Sequence, residues 1–224
     1  MIGTARVLVV DDNALARAGL RNLLGDQRRF QIVGEADNGA DALVQSRALR
    51  PDLLLVDLNM PTLDGLEVTR AVKCELPKTR VVILTADESP GRLLEALRRG
   101  ADAYVLKGGA KPGLVGTLRE AMAGEPLVQQ EIATYLLQVL QCAESTWRSS
   151  FSELPTSIEM AVLKCAADGY SPLQMARALG LNRPMLSAHM SHLLAKLGVF
   201  RARARRYREN RVLRPAKHPR RAVY

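Results

Sequence analysis

Residues 52–65 read Asp52-Leu53-Leu54-Leu55-Val56-Asp57-Leu58-Asn59-Met60-Pro61-Thr62-Leu63-Asp64-Gly65. The unbroken apolar run Leu53 to Val56 suits a strand buried on both faces of a parallel sheet. Pro61 and Gly65 then favour a turn over a continued strand. Asp57 therefore ends a buried strand, at the edge where open α/β sheets bind ligands. A lone aspartate in such a place is ordinarily a helix cap or a turn residue. The rest of the chain decides between the two readings.

Working outward, four more strands are expected over Arg6–Val10, Phe30–Ala36, Arg80–Leu84 and Ala103–Leu106. Between and after them, helical stretches are expected over Ala14–Leu24 (stopped by Gly25), Gly39–Ala48, Leu66–Cys74, Gly91–Arg99 (stopped by Gly100) and Leu114–Ala123. Gly113 and Gly116 weaken the last of these. Strands alternating with helices in this way predict a doubly wound, five-stranded parallel sheet with helices on both faces.

That topology gathers five polar residues. Asp11 and Asp12 end the first strand, Asp57 the third, Thr85 the fourth and Lys107 the fifth. Three carboxylates at short range repel one another unless a cation joins them. Their hard oxygens suit Mg²⁺. With Lys107 as a further positive charge and Thr85 as a donor, the site can hold a phosphoryl group in line with a carboxylate nucleophile.

The segments Val9-Val10-Asp11-Asp12, Val56 to Gly65, Leu84-Thr85-Ala86 and Gly100 to Lys107 together resemble the receiver domain of two-component response regulators. The resemblance covers residues 5–124. It implies that Asp57 is the phospho-acceptor, and that Mg²⁺ is held by Asp12, Asp57 and the main-chain carbonyl of Asn59, with Asp11 acting through water. Thr85 and Lys107 would grip the phosphoryl oxygens, and Tyr104 would rotate inward when Thr85 moves. Gly108 stands after Lys107 where many receivers carry proline, so a cis bond is not expected there and the Gly108-Gly109 loop should be looser.

Composition sets the bounds. The chain of 224 residues allows one large or two modest domains. No apolar run reaches the ~18 residues of a membrane span, and the first strand leads straight into Asp11-Asp12 without a secretory pattern. Cys74, Cys142 and Cys165 lack metal-ligand spacing and read as reduced thiols of a cytoplasmic protein. The net charge of +9 is unevenly placed. Residues 1–124 hold 17 Lys/Arg against 16 Asp/Glu, and 151–200 hold four against three, whereas 201–224 hold ten against one.

Residues 125–153 read as a linker with a short helix at Ile132–Leu140 and an exposed connector around Trp147. Residues 154–199 read as a small all-α domain. Thr156-Ser157-Ile158-Glu159 and Ser171-Pro172-Leu173-Gln174 have the form of capping boxes, and Gly169 and Gly180 close the helices they open. Asn182 caps a third helix with the buried stripe Leu186, Met190, Leu193 and Leu197. Two helices joined by a short Gly-containing turn match a helix-turn-helix, whose second helix enters the major groove.

Ala161-Val162-Leu163, Asp168 to Ser171, Met175-Ala176, Leu179-Gly180-Leu181, His189-Met190 and Lys196 to Val199 resemble the DNA-binding domain of LuxR/NarL-type regulators. The resemblance implies DNA contacts from Ser187, Ala188, Ser191 and His192, with Arg183 and Lys196 flanking them on the backbone. Family members commonly carry long polar side chains where Ser187 and Ser191 stand, so this face offers little to phosphate. The family's last helix is replaced by a basic tail, 200–224, expected to be largely disordered. It is either a nucleic-acid-binding arm or an altered terminus.

The sequence thus implies a cytoplasmic response regulator that is not an enzyme in the ordinary sense, since it turns over no external substrate. Its expected partners are a sensor histidine kinase, promoter DNA and, once phosphorylated, a second copy of itself, with no membrane. The rival reading is a receiver-containing regulator that acts by protein contact through a degenerate DNA-binding domain. An aspartate-based phosphatase fits poorly, because its nucleophile would end the first strand in an Asp-x-Asp pattern.

Overall fold

The computed structural model describes residues 4–87, 89–107, 112–123, 130–141 and 152–197. Five parallel strands, β1 (Ala5–Val10), β2 (Phe30–Ala36), β3 (Leu53–Asp57), β4 (Arg80–Thr85) and β5 (Ala103–Leu106), form one sheet in the order β2-β1-β3-β4-β5. They alternate with α1 (Ala14–Gly25), α2 (Gly39–Leu49), α3 (Gly65–Glu75), α4 (Pro90–Arg99) and α5 (Pro112–Ala123).

Successive side chains of a strand point to opposite faces, so each strand feeds two cores. Val7, Val9, Leu53, Leu55, Val82 and Leu84 pack with Leu20 and Leu24 of α1 and Leu118 of α5. Leu8, Val10, Leu54, Val56, Val81 and Ile83 pack with α2, α3 and α4 through Ala42, Val68, Val72, Leu93 and Leu97. Burial on both faces is the reason these strands read as unbroken apolar runs. The strand order reverses at β1, and the crevice beyond the carboxyl ends of β1 and β3 is the switch point of the sheet.

Gly25 does not end α1 as expected. The helix runs through it, and Asp26 follows with φ −75°. Gln27 N–H then donates to Leu24 O and Phe30 N–H to Gln27 O, so right-handed turns carry the chain into β2 without a left-handed residue. Gly100, by contrast, closes α4 at φ +107°. At the opposite edge of the sheet from Asp57, the buried Lys73 ammonium donates to Thr79 O at 2.6 Å and to Asp102. The same carboxylate accepts from Arg80 and from Val81 N–H, each at 2.9 Å. A buried charge survives when it is paired and hydrogen-bonded in this way.

The remaining helices are α6 (Gln130–Gln141), α7 (Ser157–Ala167), α8 (Pro172–Ala178) and α9 (Arg183–Lys196). Both expected capping boxes are present, Thr156 with Glu159 and Ser171 with Gln174, and Asn182 caps α9 through Met185 N–H. Gly169 and Gly180 take φ +76° and +64° after α7 and α8. The expected linker helix packs on α4 and on α7 at once. Ile132, Ala133 and Leu136 of α6 are fully buried, and the sheet core continues through them into Val162, Leu163, Leu186 and Met190. Trp147, the Gly108-Gly109 loop and the basic tail lie outside the described residues.

Candidate functional site

The sheet brings the five strand-end residues to one edge. Asp11 and Asp57 are buried and Asp12 is exposed, and one carboxylate oxygen from each lies within 4.8 Å of the others. Lys107 Nζ reaches Asp11 at 2.7 Å and Asp57 at 2.9 Å. Asn13, the side-chain cap of α1, donates its own N–H to Asp11 Oδ1 at 2.9 Å, and Arg17 donates to Asp11 O at 2.6 Å. The start of α1 therefore fixes the acidic pair at the end of β1.

Burial pushes the Asp57 carboxyl above its ordinary value, and the charges of Asp11 and Asp12 push the same way against the Lys107 bond. Burial alone would lower the Lys107 ammonium, but its bonds to Asp11 and Asp57 outweigh this and raise it. Three carboxylates against one ammonium leave two negative charges unbalanced in a partly dehydrated crevice. A small divalent cation that binds hard oxygens and keeps its waters matches that deficit. The donor set thus fits Mg²⁺, with Asp11, Asp12 and Asp57 as its carboxylates. Asn59 is exposed on the loop after β3.

That loop lies tightly on the site. Gly65 N–H donates to Leu58 O, and a Cβ on Gly65 would stand 2.2 Å from Asp57 O, so the close approach requires glycine. Thr62 in the same loop adopts φ +71°, a conformation rare for a β-branched residue. Thr85 is fully buried, and its hydroxyl accepts from Asp87 N–H at 2.9 Å. Tyr104, paired with Ile83 in the sheet, is 1% exposed.

In the helical unit, Arg183, Ala188 and His192 are exposed on α9, and Ser187 and Ser191 are half-buried. Lys196, expected to flank them, is held in an ion pair. Its ammonium donates to the buried Glu159 carboxylate at 2.7 Å and to Leu154 O at 3.0 Å, and its side chain is 16% exposed. Among the described residues of the helical unit, the exposed large apolar ones are Leu154, Tyr170, Leu173 and Met185. Sequence reasoning missed Asn13, Arg17 and Asp87. Asn13 was within reach, since an Asn before an apolar helix is a common cap.

A family model described as the response regulator receiver domain matches residues 7–119. The chain is 32% identical over 194 residues to the response regulator protein VraR of Staphylococcus epidermidis, across 87% of this chain and 90% of that one. A two-component response regulator of the LuxR family from an Aurantimonas species shares 29% identity and a TM-score of 0.57, over 61% of this chain and 97% of the other. RcsB of Salmonella typhimurium has a similar fold over 88% of this chain and 93% of its own, with a TM-score of 0.57 at 23% identity.

Proposed function

The chain belongs to the response regulators of two-component systems, and on that premise we propose that Asp57 accepts a phosphoryl group from a sensor histidine kinase and that α8 and α9 then act on promoter DNA. A carboxylate oxygen of Asp57 attacks phosphorus, the O–P bond forms, and the P–N bond to the kinase imidazole breaks with its electron pair on nitrogen. Lys107 is close enough to Asp57 to grip an oxygen of the group once it is transferred. The Thr85 hydroxyl, which accepts from Asp87 N–H, still has its own proton to donate to another of the group's oxygens. Mg²⁺, held by Asp11, Asp12, Asp57 and the carbonyl of Asn59, would neutralise the remaining charge.

The observation that carries this reading is the cluster of Asp11, Asp12, Asp57 and Lys107 at the switch point of the sheet. The test is mass spectrometry after exposure to a small phosphodonor with Mg²⁺. Wild type should carry an acyl phosphate and Asp57→Ala should not; a Mg²⁺-dependent acyl phosphate on the variant would defeat the site assignment. We assign residues 1–124 to the receiver, 125–153 to the linker, 154–199 to the DNA reader and 200–224 to the basic tail, in a cytoplasmic protein that pairs with a second copy when phosphorylated. The DNA contacts we assign are Arg183, Ser187, Ala188, Ser191, His192 and Lys196.

A second reading, control by protein contact, is favoured by the exposed apolar Tyr170, Leu173 and Met185 and by the withdrawal of Lys196 into an ion pair. A footprint on promoter DNA separates the two.

A further inference from the structure

The end of α9 leaves carbonyls without partners inside the helix, as every helix does. Ser152 N–H satisfies Lys196 O at 2.7 Å, from within the same unit. Leu197 O is satisfied from outside it, by Arg98 Nε of α4 at 2.9 Å. A guanidinium is well placed at the negative end of a helix dipole. The other end of α4 begins at the phosphoryl site. Thr85 Oγ accepts from Asp87 N–H, and the Asp87 carboxylate accepts from the N–H of Ser89, which caps α4. One helix of ten residues, about 15 Å long, thus connects the Thr85 hydroxyl to the carbonyl of Leu197, the C-cap of the reading helix. The buried side chains of α6 lie against the same helix and against α7.

Among the described residues, the docked receiver leaves part of the reading face open, with Ser187 and Ser191 half-buried. Arg183, Ala188 and His192 are exposed, and Met185 is 47% exposed, with both units in contact. We propose that Arg98 is a positioning residue, through which the receiver sets the orientation of a partly open reading helix instead of switching it by masking it. The inference rests on the DNA-reading role proposed for α9. Helix-turn-helix pairs read two half-sites a fixed spacing apart, so a small rotation of α9 about its Arg98 anchor changes whether two copies fit a paired site. It leaves a single half-site as readable as before.

The experiment compares full-length wild type, Arg98→Ala and Arg98→Lys, each with and without phosphorylation by a small phosphodonor. Hydroxyl-radical oxidation of Met185, read by mass spectrometry, reports exposure of α9 without any DNA. Affinities are measured for duplexes with one and with two half-sites, selected from random DNA by the wild type. Met185 oxidation and single-site affinity should be the same in all forms. The gain on a paired site from phosphorylation should fall about tenfold in Arg98→Ala, the size of one charged hydrogen bond, and be largely restored in Arg98→Lys. Oxidation or single-site affinity that rises severalfold on phosphorylation or in Arg98→Ala overturns the proposal, as does an unchanged paired-site gain in Arg98→Ala. If no form binds any duplex, the DNA-reading role fails, while Met185 oxidation still decides whether the receiver masks α9.

Discussion

The Lys196 ammonium stands 2.7 Å from the Glu159 carboxylate and ties the last turn of α9 to the first turn of α7. Glu159 also accepts from Thr156 N–H at 2.7 Å. Burial opposes its ionisation, but the bonds from Lys196 and Thr156 outweigh this and hold the carboxyl below its ordinary 4.5. A depressed pKa in the folded state gives stability that is full above the unfolded value and is lost as pH falls through the folded one. Urea unfolding followed by circular dichroism should therefore show the helical unit weakening below about pH 4.5. Glu159→Gln should remove that acid dependence and cost about 2 kcal/mol at pH 7. An acid limb unchanged in Glu159→Gln would assign the effect to other carboxylates.

Thr85→Ala and Lys107→Ala should separate phosphorylation from its consequence. Asp57 keeps its place in both, so mass spectrometry should still find the acyl phosphate. The rise in DNA affinity on phosphorylation should fall, because neither variant has both groups that would grip the phosphoryl oxygens. Unchanged coupling in both variants would count against the switch.

Thr62 holds a left-handed conformation at φ +71° in the loop after β3. Thr62→Gly should remove strain of about 1 kcal/mol, seen as a higher urea midpoint for the receiver. A lower midpoint would mean that contacts of the threonine side chain outweigh the strain.

Local rules made much of this legible in the sequence. The apolar runs of β1, β3 and β4 show their burial on both faces, and Thr156-Glu159 and Ser171-Gln174 announce two helix starts. The helix stops were less uniform, since Gly100, Gly169 and Gly180 are left-handed and Gly25 is not. The ion pair of Lys196 was not legible, because a family resemblance says nothing about which side chain stands opposite. Its partner Glu159 is 37 residues away and doubles as a capping residue. The Arg98 bond to Leu197 O spans 99 residues and ends on a backbone atom, so no side-chain pattern could have marked it.

The tail calls for a measurement of salt dependence. Residues 201–224 carry ten Lys/Arg against one Glu, and Lys196 of α9 is ion-paired with Glu159. If the tail touches the DNA backbone, each phosphate neutralised adds about −0.9 to the slope of log affinity against log salt. Ending the chain after Phe200 should then weaken binding to promoter and random duplexes about equally and flatten that slope by several units. An unchanged slope would show a terminus with no part in binding.

The sheet order also has a consequence for how the protein is made. Asp57 lies beside the end of β1, 46 residues from Asp11 in the chain, while Lys107 arrives only with β5, the edge strand. A nascent chain that has emerged as far as β4 owns every acid of the crevice and lacks its lysine. Domains tend to fold as units during synthesis, and here the last strand brings the ammonium that pairs with Asp11 and Asp57. The crevice thereby reaches its full set of charges only when the whole receiver has been made.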